Sequence, residues 1–424
     1  MRVLVLGSGG REHALARALA GSPEVTAVHA APGSDAMVRD GARRSTVPGR
    51  LEDPAFAVAA AREAGADLVV IGPEAPLAAG AADALRSAGF AVFGPGREGA
   101  RIEASKVWAK AFMARHGIPT AEAAVFDDAA AAEAHIRSLP VPPVVKADGL
   151  ARGKGVVVAE THDQAAAAAR SALAEGAFGA AGRRVVIEER LIGRELSVMA
   201  LVSGPRCVLL APAQDHKAVF DGDRGPNTGG MGAFSPVPWV DGALLGRIER
   251  EIIAPAAAGL AAEGIDYRGV LYAGLMLTDS GPRVLEFNCR FGDPEAQVVL
   301  PRLDGDWARL LAAVASGNPP GPVRWRPGGG VCVVLASGGY PGSYRTGLAI
   351  HGIEAAEALE GVTLYHAGTR REGDRWLTAG GRVLGVTAVA ATLDAARRRA
   401  YEACGLITFP GRHHRRDIAK NLSQ

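Results

Sequence analysis

The first hundred residues repeat one unit, which consists of an apolar strand, a glycine turn and an alanine-rich helix. The strand segments read RVLVLG, VTAVHAA, DLVVIG and AVFG, and EHALARALA is typical of the helical segments. Apolar strands that alternate with amphipathic helices are typical of a parallel sheet covered on both faces. The pattern predicts an α/β protein with an N-terminal doubly wound parallel sheet, and ligands are expected at the carboxyl ends of its strands.

Length and composition indicate a globular protein of several domains. A chain of 424 residues is too long for one core and suggests about three domains. Its 48% hydrophobic and 22% charged residues are ordinary for a soluble protein. The formal net charge of +2 predicts no nucleic-acid partner and no membrane partner.

Cysteine usage and the N-terminus predict a cytoplasmic location. Cys207, Cys289, Cys332 and Cys404 are far apart and form no CxxC pair, which argues against a zinc site and a disulfide framework. The chain enters a strand by Val3, which leaves no room for a signal peptide. It also has no run of about eighteen apolar residues that could span a membrane.

Two segments rich in glycine and proline divide the rest of the chain. RIEASKVWAKAFMARH (101–116) predicts a helix that GIPT ends, and a compact α/β segment follows to about residue 193. GNPPGPVRWRPGGG (317–330) marks the next boundary, before a small C-terminal α/β domain with a helix capped by Thr392. The basic run RHHRR (412–416) is expected to be a solvated surface.

The turn GSGGREH has part of a dinucleotide fingerprint. Glu12 stands where the third glycine should be, and no acidic residue ends the second strand, which weakens a dehydrogenase interpretation. Gly9 and Gly10 before a helix still suit a single phosphate, because free N–H groups and the helix dipole favour an anion there. The alternative is a tight strand-to-helix turn that binds nothing.

The segment VVKADGLARGKGVVVAE predicts a hairpin with a glycine-rich loop, and KADGLARGKG (146–155) within it indicates that the loop binds phosphate. Lys146 ends an apolar strand, and the glycine-rich loop after it also carries cations, so it can fold over phosphates. It is not a Walker loop, because no Ser or Thr follows Lys154. A flexible hairpin is the alternative, although it explains poorly why a lysine ends a buried strand.

Two carboxylates in VVIEERLIGRELSV are candidates for nucleoside contacts. Glu188 and Glu195 are seven residues apart across a turn, where they could accept hydrogen bonds from an adenine amine and from ribose hydroxyls. The alternative is that both are solvated surface carboxylates, as glutamates usually are.

The stretch VLEFNCRFGDPE (284–295) combines a strand with an unusual polar face. Alternation places Glu286, Asn288 and Arg290 on one face, while Leu285 and the other apolar residues face away. A carboxylate and an amide oxygen suit Mg²⁺, and a guanidinium beside them could neutralise a transferring phosphoryl group. The alternative is an exposed polar face with an ordinary ion pair.

Together and in this order, these segments resemble the ATP-grasp enzymes, and specifically the glycinamide ribonucleotide synthetase family of purine biosynthesis. The resemblance covers nearly the whole chain. The motifs that carry it are GSGGREHALA, GPEAPL, EASKVWAK, KADGLARGKGV, VIEERLIGRELS, QDHKAVFDGDRGPNTGGMGAFSP, LYAGLM, EFNCRFGDPE, ASGGYPGSYRTG, HAGT and GGRVL.

The resemblance implies a ligase with three substrates. ATP would phosphorylate the carboxylate of glycine, and the amine of 5-phosphoribosylamine would attack the glycyl phosphate to give glycinamide ribonucleotide, ADP and phosphate. Mg²⁺ or Mn²⁺ would be the metal, and the enzyme would be a monomer. Another ATP-grasp ligase or a carboxylase of the biotin-carboxylase type is the alternative. The implied domains are residues 1–103, an ATP-grasp domain at 104–326 with a mobile lid at about 120–193, and residues 327–424.

The resemblance also assigns residues to roles. Catalytic roles fall to Arg290, Lys146 and Lys217. ATP would be bound by Lys106, Lys146, Gly153, Lys154, Gly155, Glu188, Glu189, Leu191 and Glu195. Glycine and phosphoribosylamine would be bound by Gly9, Gly10, Arg11, Glu12, Glu74, Pro76, Asp215, Asn227, Thr228, Gly229, Gly230, Arg290 and Asp293. The metal would be bound by Glu286 and Asn288.

One position departs from the pattern of many ATP-grasp enzymes, which place a further carboxylate on the preceding strand. Here that position is Ala273. The site would then bind one ion tightly or recruit Asp215 or Asp293 for a second, so the number of metal ions stays open.

Overall fold

Residues 1–103 form the doubly wound sheet that the strand pattern predicts. The computed structural model describes residues 1–150 and 155–420. The elements of this part are β1 Arg2–Gly7, α1 Gly10–Ala20, β2 Ala27–Pro32, α2 Asp35–Arg39, β3 Arg43–Arg44, α3 Pro54–Ala64, β4 Leu68–Ile71, α4 Glu74–Ala79, α5 Ala81–Ser87, β5 Ala91–Phe93 and α6 Arg97–Ala104. The strands are parallel in the order β3-β2-β1-β4-β5. The order changes sense between β1 and β4, so their carboxyl ends flank a crevice.

The next segment packs around a sheet and a core of its own. Its elements are α7 Lys106–Arg115, β6 Ala123–Phe126, α8 Ala129–Ser138, β7 Val144–Ala147, β8 Val156–Val158, α9 His162–Leu173, a 3-10 turn Gly179–Gly182 and β9 Val185–Glu188. The strands pair antiparallel in the order β6-β9-β7-β8, and helices α8 and α9 cover them. The predicted hairpin around the glycine-rich loop is therefore confirmed by the pairing of β7 with β8.

A long antiparallel sheet forms the centre of the molecule. Its strands are β10 Arg194–Ser203, β11 Arg206–Leu209, β16 Arg268–Thr278 and β17 Gly281–Asn288, in the order β11-β10-β16-β17. The helical stretch that packs on it is α10 Gly242–Ile248, a π-helical turn Glu249–Ile253 and α11 Ala254–Ala262. The π-helical turn ends two residues before Pro255, which cannot donate a backbone hydrogen bond.

The connection between β11 and β16 contains four short strands of its own. Its strands are β12 Gln214–Asp215, β13 Ala218–Phe220, β14 Arg224–Asn227 and β15 Gly232–Ser235. β13 and β14 form a hairpin, because the glycines and Asp223 adopt the left-handed conformations that its turn requires. After β17 the chain continues through α12 Ala296–Val299, a 3-10 turn Leu300–Arg302 and α13 Trp307–Ala315.

The last ninety residues add a sheet that also takes strands from the preceding part. The elements are β18 Gly329–Ala336, β19 Ala349–Ile350, α14 Ile353–Glu357, β20 Val362–His366, β21 Thr369–Glu372, β22 Arg375–Thr378, β23 Arg382–Ala390 and α15 Leu393–Leu406. The main sheet has the order β12-β15-β18-β23-β20, and a smaller one the order β19-β22-β21. The side chain of Thr392 accepts a hydrogen bond from Ala395 N, which confirms the predicted cap of α15.

The basic run near the C-terminus is not the solvated surface that its composition predicts. Arg415 is fully buried, and its guanidinium pairs with Asp223 and Asp417. The prediction fails because the run packs against the β13–β14 hairpin, which supplies Asp223. None of the helices in residues 1–150 and 155–420 is long and apolar enough to cross a bilayer.

Candidate active site

Strand β17 carries the polar stretch that the sequence singles out. A bulge at Leu285 shifts its pairing with β16. Val284 and Phe287 therefore lie in the core, while Leu285 and Glu286 both line a cavity. The expectation that Leu285 faces away from Glu286 is wrong, because a bulge inserts one residue into the alternation.

The cavity beside this strand end has a volume of about 500 Å³. Its walls come from the N-terminal sheet, the central sheet and the C-terminal part of the chain. The predicted residues that line it are Arg11, Glu74, Lys106, Gly155, Glu188, Asp215, Lys217, Asn227, Thr228, Gly229, Glu286, Asn288, Arg290 and Asp293. Residues from distant motifs thus meet in one place.

Lys106 begins a helix instead of lying inside one. The predicted single helix over 101–116 is broken at Ser105, whose side chain accepts a hydrogen bond from Trp108 N at 3.1 Å and caps α7. Lys106 is therefore in the first turn of α7, and its Nζ donates to the carbonyl of Gly149 at 3.4 Å. The cap places this lysine beside the base of the glycine-rich loop.

Lys146 forms a buried pair with Glu188, which lines the cavity. The Nζ of Lys146 donates to Glu188 Oε2 and to the carbonyl of Leu285, both at 2.9 Å. The same Oε2 lies 3.2 Å from Nζ of Lys110, a residue that the sequence analysis does not single out. Burial lowers the pKa of Lys110 to about 8, although the charge of Glu188 opposes the shift.

A compositional signal could have identified Lys110. The chain has six lysines against 41 arginines, so arginine supplies almost all of its positive charge. In such an arginine-rich sequence, a lysine indicates a position that requires a compact ammonium instead of a planar guanidinium. All but the last of the six fall in the motifs of this site: Lys106, Lys110, Lys146, Lys154, Lys217 and Lys420.

Glu286 is held ionised by the cations around it. Burial by itself would raise the pKa of this carboxyl, but the charges of Lys217, Lys106 and Lys146 outweigh it and lower the pKa to about 2. A half-buried carboxylate that stays charged can ligate a cation at neutral pH.

Arg290 connects Asn288 with two carboxylates, Glu103 and Glu74. Arg290 Nη2 donates to Asn288 Oδ1 at 3.0 Å and to Glu103 Oε1 at 2.8 Å, and its Nε lies 3.5 Å from Glu74 Oε2. Glu103 and Glu74 keep the pKa of Arg290 above its usual value despite burial. Glu103, which also accepts from Cys289 N, lies on α6 and opens the motif EASKVWAK, but the sequence analysis assigns it no role.

The donor set at the strand end fits a divalent cation. In the part of the chain that the structure describes, no three His, Cys, Asp or Glu side chains group as a preformed metal site. Mg²⁺ is usually held by one or two protein oxygens together with phosphates and waters. Glu286 and Asn288 can provide the protein oxygens. Ala273 is buried in the core and offers no ligand.

A second group of charges surrounds Lys217. Its Nζ lies 3.6 Å from Glu195 Oε2, and nearby carboxylates raise its pKa although burial lowers it. Burial raises the pKa of Asp215 to about 7 against the charge of Lys217. The buried Glu295, which accepts from the hydroxyls of Tyr272 and Ser197, also lines this end of the cavity and is a residue that the sequence analysis does not assign.

The N-terminal glycine turn is partly closed by its own side chains. Gly9 N donates to Glu12 Oε2 at 2.8 Å, and Arg11 Nε donates to Glu12 Oε1 at 2.6 Å. Gly10 packs against Gln297. Glu12 therefore stabilises the turn, and the N–H of Gly9 is not free to bind a phosphate. Arg11 is the residue of the turn that lines the cavity.

The C-terminal part contributes residues from motifs that the sequence analysis quotes without assigning. Gly229 N donates to the hydroxyl of Tyr340 at 3.1 Å. Arg382 donates to the carbonyls of Gly229 and Asp293 and to Asp293 Oδ2. Because Arg382 lowers the pKa of the half-buried Asp293, that carboxylate is committed to an ion pair.

The remaining predicted residues lie further from the cavity lining. Glu189 is exposed and accepts from Glu122 N, whereas Pro76 is buried in α4. Leu191 follows β9 at the surface and is half-buried, and Gly230 N donates to the hydroxyl of Thr228. Two predicted ATP ligands lie outside the described residues: Gly153 and Lys154.

Comparison with known families matches almost the whole chain. The model described as phosphoribosylglycinamide synthetase, N domain, matches residues 1–103. The corresponding ATP-grasp (A) domain matches residues 104–296, and the C domain matches residues 330–421.

Individual relatives agree with these matches. A phosphoribosylamine–glycine ligase of Nostoc sp. is 50% identical, with 100% of both chains covered, and one of Streptomyces coelicolor is 49% identical, with 99% of both covered. The crystal structure of the ligase of that name from Thermotoga maritima has a TM-score of 0.85 and 36% identity, and covers 99% of this chain and 100% of its own. The biotin carboxylase domain of a Hydrogenobacter thermophilus carboxylase, at TM-score 0.74 and 15% identity over 97% and 91% of the two chains, shares the fold alone.

Proposed function

The chain belongs to the phosphoribosylglycinamide synthetase family, and from this premise we propose that its cavity is where ATP, glycine and 5-phosphoribosylamine react. The chain is an ATP-grasp ligase of purine biosynthesis that forms a C–N bond between glycine and phosphoribosylamine. The observation that carries the assignment of the site is that Lys106, Glu188 and Glu286 line one cavity, with Lys146 hydrogen-bonded to Glu188.

Two lysines bind the phosphates of ATP in this proposal. An ammonium has three N–H donors, and Lys146 uses two of them on Glu188 and Leu285. The third is left for a phosphate oxygen. Lys106 contacts the protein through one long hydrogen bond to Gly149 within the described residues, so it keeps donors for the same purpose.

The end of β9 and the segment after it, residues 188–195, bind the nucleoside in this proposal. Both lysine contacts of Glu188 use Oε2, and within the described residues Oε1 has no hydrogen-bond partner, which leaves it for the adenine amine. Glu189 and Leu191 follow Glu188 in the chain and are the further candidates for nucleoside contacts. Glu195, which is paired with Lys217, is the candidate for the ribose hydroxyls.

Glu286 and Asn288 hold the divalent cation. ATP-grasp ligases use ATP together with a divalent metal, and Mg²⁺ or Mn²⁺ suits these oxygen ligands. When bound, the cation supplies charge that offsets the negative charge of the transferring phosphoryl group. Asn288 Oδ1 already accepts from Arg290, so the amide also orients the guanidinium toward the reacting end.

Glycine binds at the end of the cavity around Lys217. The carboxylates of Asp215 and Glu295 suit the ammonium of glycine, and Lys217 suits its carboxylate. The turn Asn227–Gly230, which Tyr340 and Arg382 hold, closes this end. Once glycine is phosphorylated, Arg290 stabilises the acyl phosphate through its Nε, which has no hydrogen-bond acceptor among the described residues.

Phosphoribosylamine approaches from the crevice of the N-terminal sheet. Arg11 and Arg290 line that wall, and Glu74 lies between them, at 4.0 Å and 3.5 Å. In this assignment Arg11 takes the phosphate, while Glu74 orients the sugar or the amine. The amine then attacks the glycyl phosphate carbonyl, and phosphate leaves.

The proposed domain division follows the same borders. Residues 1–103 provide the phosphoribosylamine side, 104–326 the ATP-grasp domain, and 327–424 the C-terminal domain. The proposed lid at about 120–193 is supported by its separate sheet and separate apolar core. β12 and β15 nevertheless pair into the C-terminal sheet, so the second border is crossed by hydrogen bonds.

ADP release tests the proposed reaction. The assay contains ATP, Mg²⁺, glycine and freshly generated phosphoribosylamine, and each component is omitted in turn. We expect release to require glycine, because ATP transfers its phosphoryl group to the glycine carboxylate. Release that continues unchanged without glycine would overturn the proposal.

Glu286→Ala tests the metal site. The variant should remain folded and lose ligation by at least about 10³-fold, because phosphoryl transfer depends on cations at the transferring group. Glu251→Ala, at an exposed helical carboxylate, is the control. Activity of Glu286→Ala near the level of the control would show that the metal binds elsewhere.

We also propose that the enzyme is a cytoplasmic monomer. The thiols Cys207, Cys289, Cys332 and Cys404 are free, as a reducing compartment requires. Sedimentation equilibrium should return the mass of one chain, 43.6 kDa. A mass twice that value would refute the monomer.

A further inference from the structure

Lys110 lies four residues after Lys106 in α7, so both side chains are on the same face of the helix. The Nζ of Lys110 donates to Thr120 Oγ1 at 2.9 Å and to the carbonyl of Ala121 at 3.0 Å. It also lies 3.2 Å from Glu188 Oε2. Two hydrogen bonds and one ion pair thus engage this ammonium with the protein.

The acceptors of Lys110 come from different elements. Glu188 ends β9, and Thr120 lies in the segment before β6. The hydroxyl of Thr120 donates onward to the carbonyl of Val284 at 2.6 Å, directly before the residue whose carbonyl holds Lys146. One ammonium therefore connects α7 with β9 and, through Thr120, with β17.

We propose that Lys110 is a positioning residue of the nucleotide site, which acts through Glu188 on Lys146 and through α7 on Lys106. This inference rests on the proposed ATP site. Lys110 shares Glu188 Oε2 with Lys146, so it sets where that carboxylate lies. Without it, Glu188 has a single cation left, and Lys146 is drawn toward the carboxylate and away from the phosphates.

The requirement for lysine at this position follows from the geometry. Its acceptors surround one nitrogen at hydrogen-bond distance, which suits a tetrahedral ammonium and not a planar guanidinium. The side chain is only 10% exposed, so the charge is shielded from water and its interactions are correspondingly strong. The lowered pKa of Lys110 agrees with this burial.

Steady-state kinetics of Lys110→Met test the proposal, with the exposed Lys420→Met as the matched control. Misplacing reacting groups by about 1 Å can reduce a rate by about 100-fold. We expect kcat/KM for ATP to fall about 10- to 100-fold in Lys110→Met, while KM for glycine changes less than about twofold. A variant that loses thermal stability but keeps the ATP parameters of Lys420→Met would refute a positioning role.

A double-mutant cycle tests the route through Glu188. In a Glu188→Gln background, Lys110→Met should reduce kcat/KM for ATP by less than about threefold, because the carboxylate that Lys110 positions is gone. Additive losses would refute the route. If Lys110→Met does not fold, Thr120→Val removes one acceptor without a change of charge and should raise KM for ATP by a few fold. A Thr120→Val enzyme with wild-type KM for ATP would then count against the proposal.

Lys146→Met separates this inference from the proposed function. If Lys146→Met leaves KM for ATP unchanged, the assignment of the ATP site is wrong, and the role of Lys110 is refuted with it. If Lys146→Met raises KM for ATP and Lys110→Met does not, the ATP site stands and the inference about Lys110 alone is wrong.

Discussion

Arg415→Met should loosen the part of the cavity where glycine is proposed to bind. Arg415 donates from Nε and Nη2 to the two oxygens of Asp417, at 2.8 and 2.7 Å. Its Nη1 donates to Asp223 Oδ1 at 2.6 Å and to the carbonyl of Ala218 at 3.1 Å. Ala218 begins β13 and Asp223 lies in the turn to β14, so a buried guanidinium anchors the hairpin that leads into Thr228.

The cost of the substitution follows from what each partner loses. Asp223 is 72% exposed, so water can replace the guanidinium there at little cost. Asp417 is 21% exposed and keeps a hydrogen bond from Gly222 N, but it loses a bidentate partner that helps to lower its pKa to about 2. The carbonyl of Ala218 loses a donor. Together these losses amount to about 2–4 kcal/mol of unfolding free energy.

Urea unfolding and glycine kinetics measure the two consequences. The neighbouring Arg416→Met is the control, because Arg416 is exposed. We expect Arg415→Met to lower the unfolding free energy by about 2–4 kcal/mol relative to the control and to raise KM for glycine several fold, with KM for ATP nearly unchanged. Equal unfolding midpoints for the two variants would refute the role assigned to the buried guanidinium, and a normal KM for glycine would refute its link to the glycine pocket.

Two further predictions concern pH and metal. Burial lowers the pKa of His366 to about 2, so below about pH 6.5 the unfolded chain binds a proton that the folded chain excludes. Stability should fall by up to about 1.4 kcal/mol per pH unit on acidification from this residue alone. His366→Gln should reduce that slope in unfolding experiments at several pH values, whereas the exposed His351→Gln should not. In the proposed site, the phosphates of ATP compete with Glu286 for the charges of Lys106 and Lys146. Glu286→Gln should therefore bind ATP more tightly than the wild type in calorimetry with EDTA. Weaker binding would contradict this competition.

The sequence predicts the features that depend on local pattern. Parallel strands, the cap at Thr392 and the hairpin around the glycine-rich loop follow from short-range periodicity and turn chemistry. The polar residues Glu286 and Asn288 stand out among apolar neighbours on one strand, and both line the cavity, while their role as metal ligands stays a prediction. These features need no knowledge of what packs against them.

The features that the sequence does not reveal depend on contacts between distant segments. Lys110 becomes important only when the chain brings Thr120 and Glu188 to its ammonium. The bulge at Leu285 depends on pairing with β16, which no pattern within VLEFNC discloses. Arg415 looks like part of a solvated basic run until the hairpin that contains Asp223 covers it.

The same long-range contacts argue that the ligase works only as a whole chain. The turn at Gly229 belongs to the proposed ATP-grasp domain, yet Tyr340 and Arg382 of the C-terminal part hold both its N–H and its carbonyl. β15 is paired on one side with β12 and on the other with β18. Removal of residues 327–424 would therefore expose a buried strand edge as well as release the glycine turn. The lysines proposed to bind ATP would remain in such a fragment, but the proposed glycine pocket would lose the contacts that hold its turn.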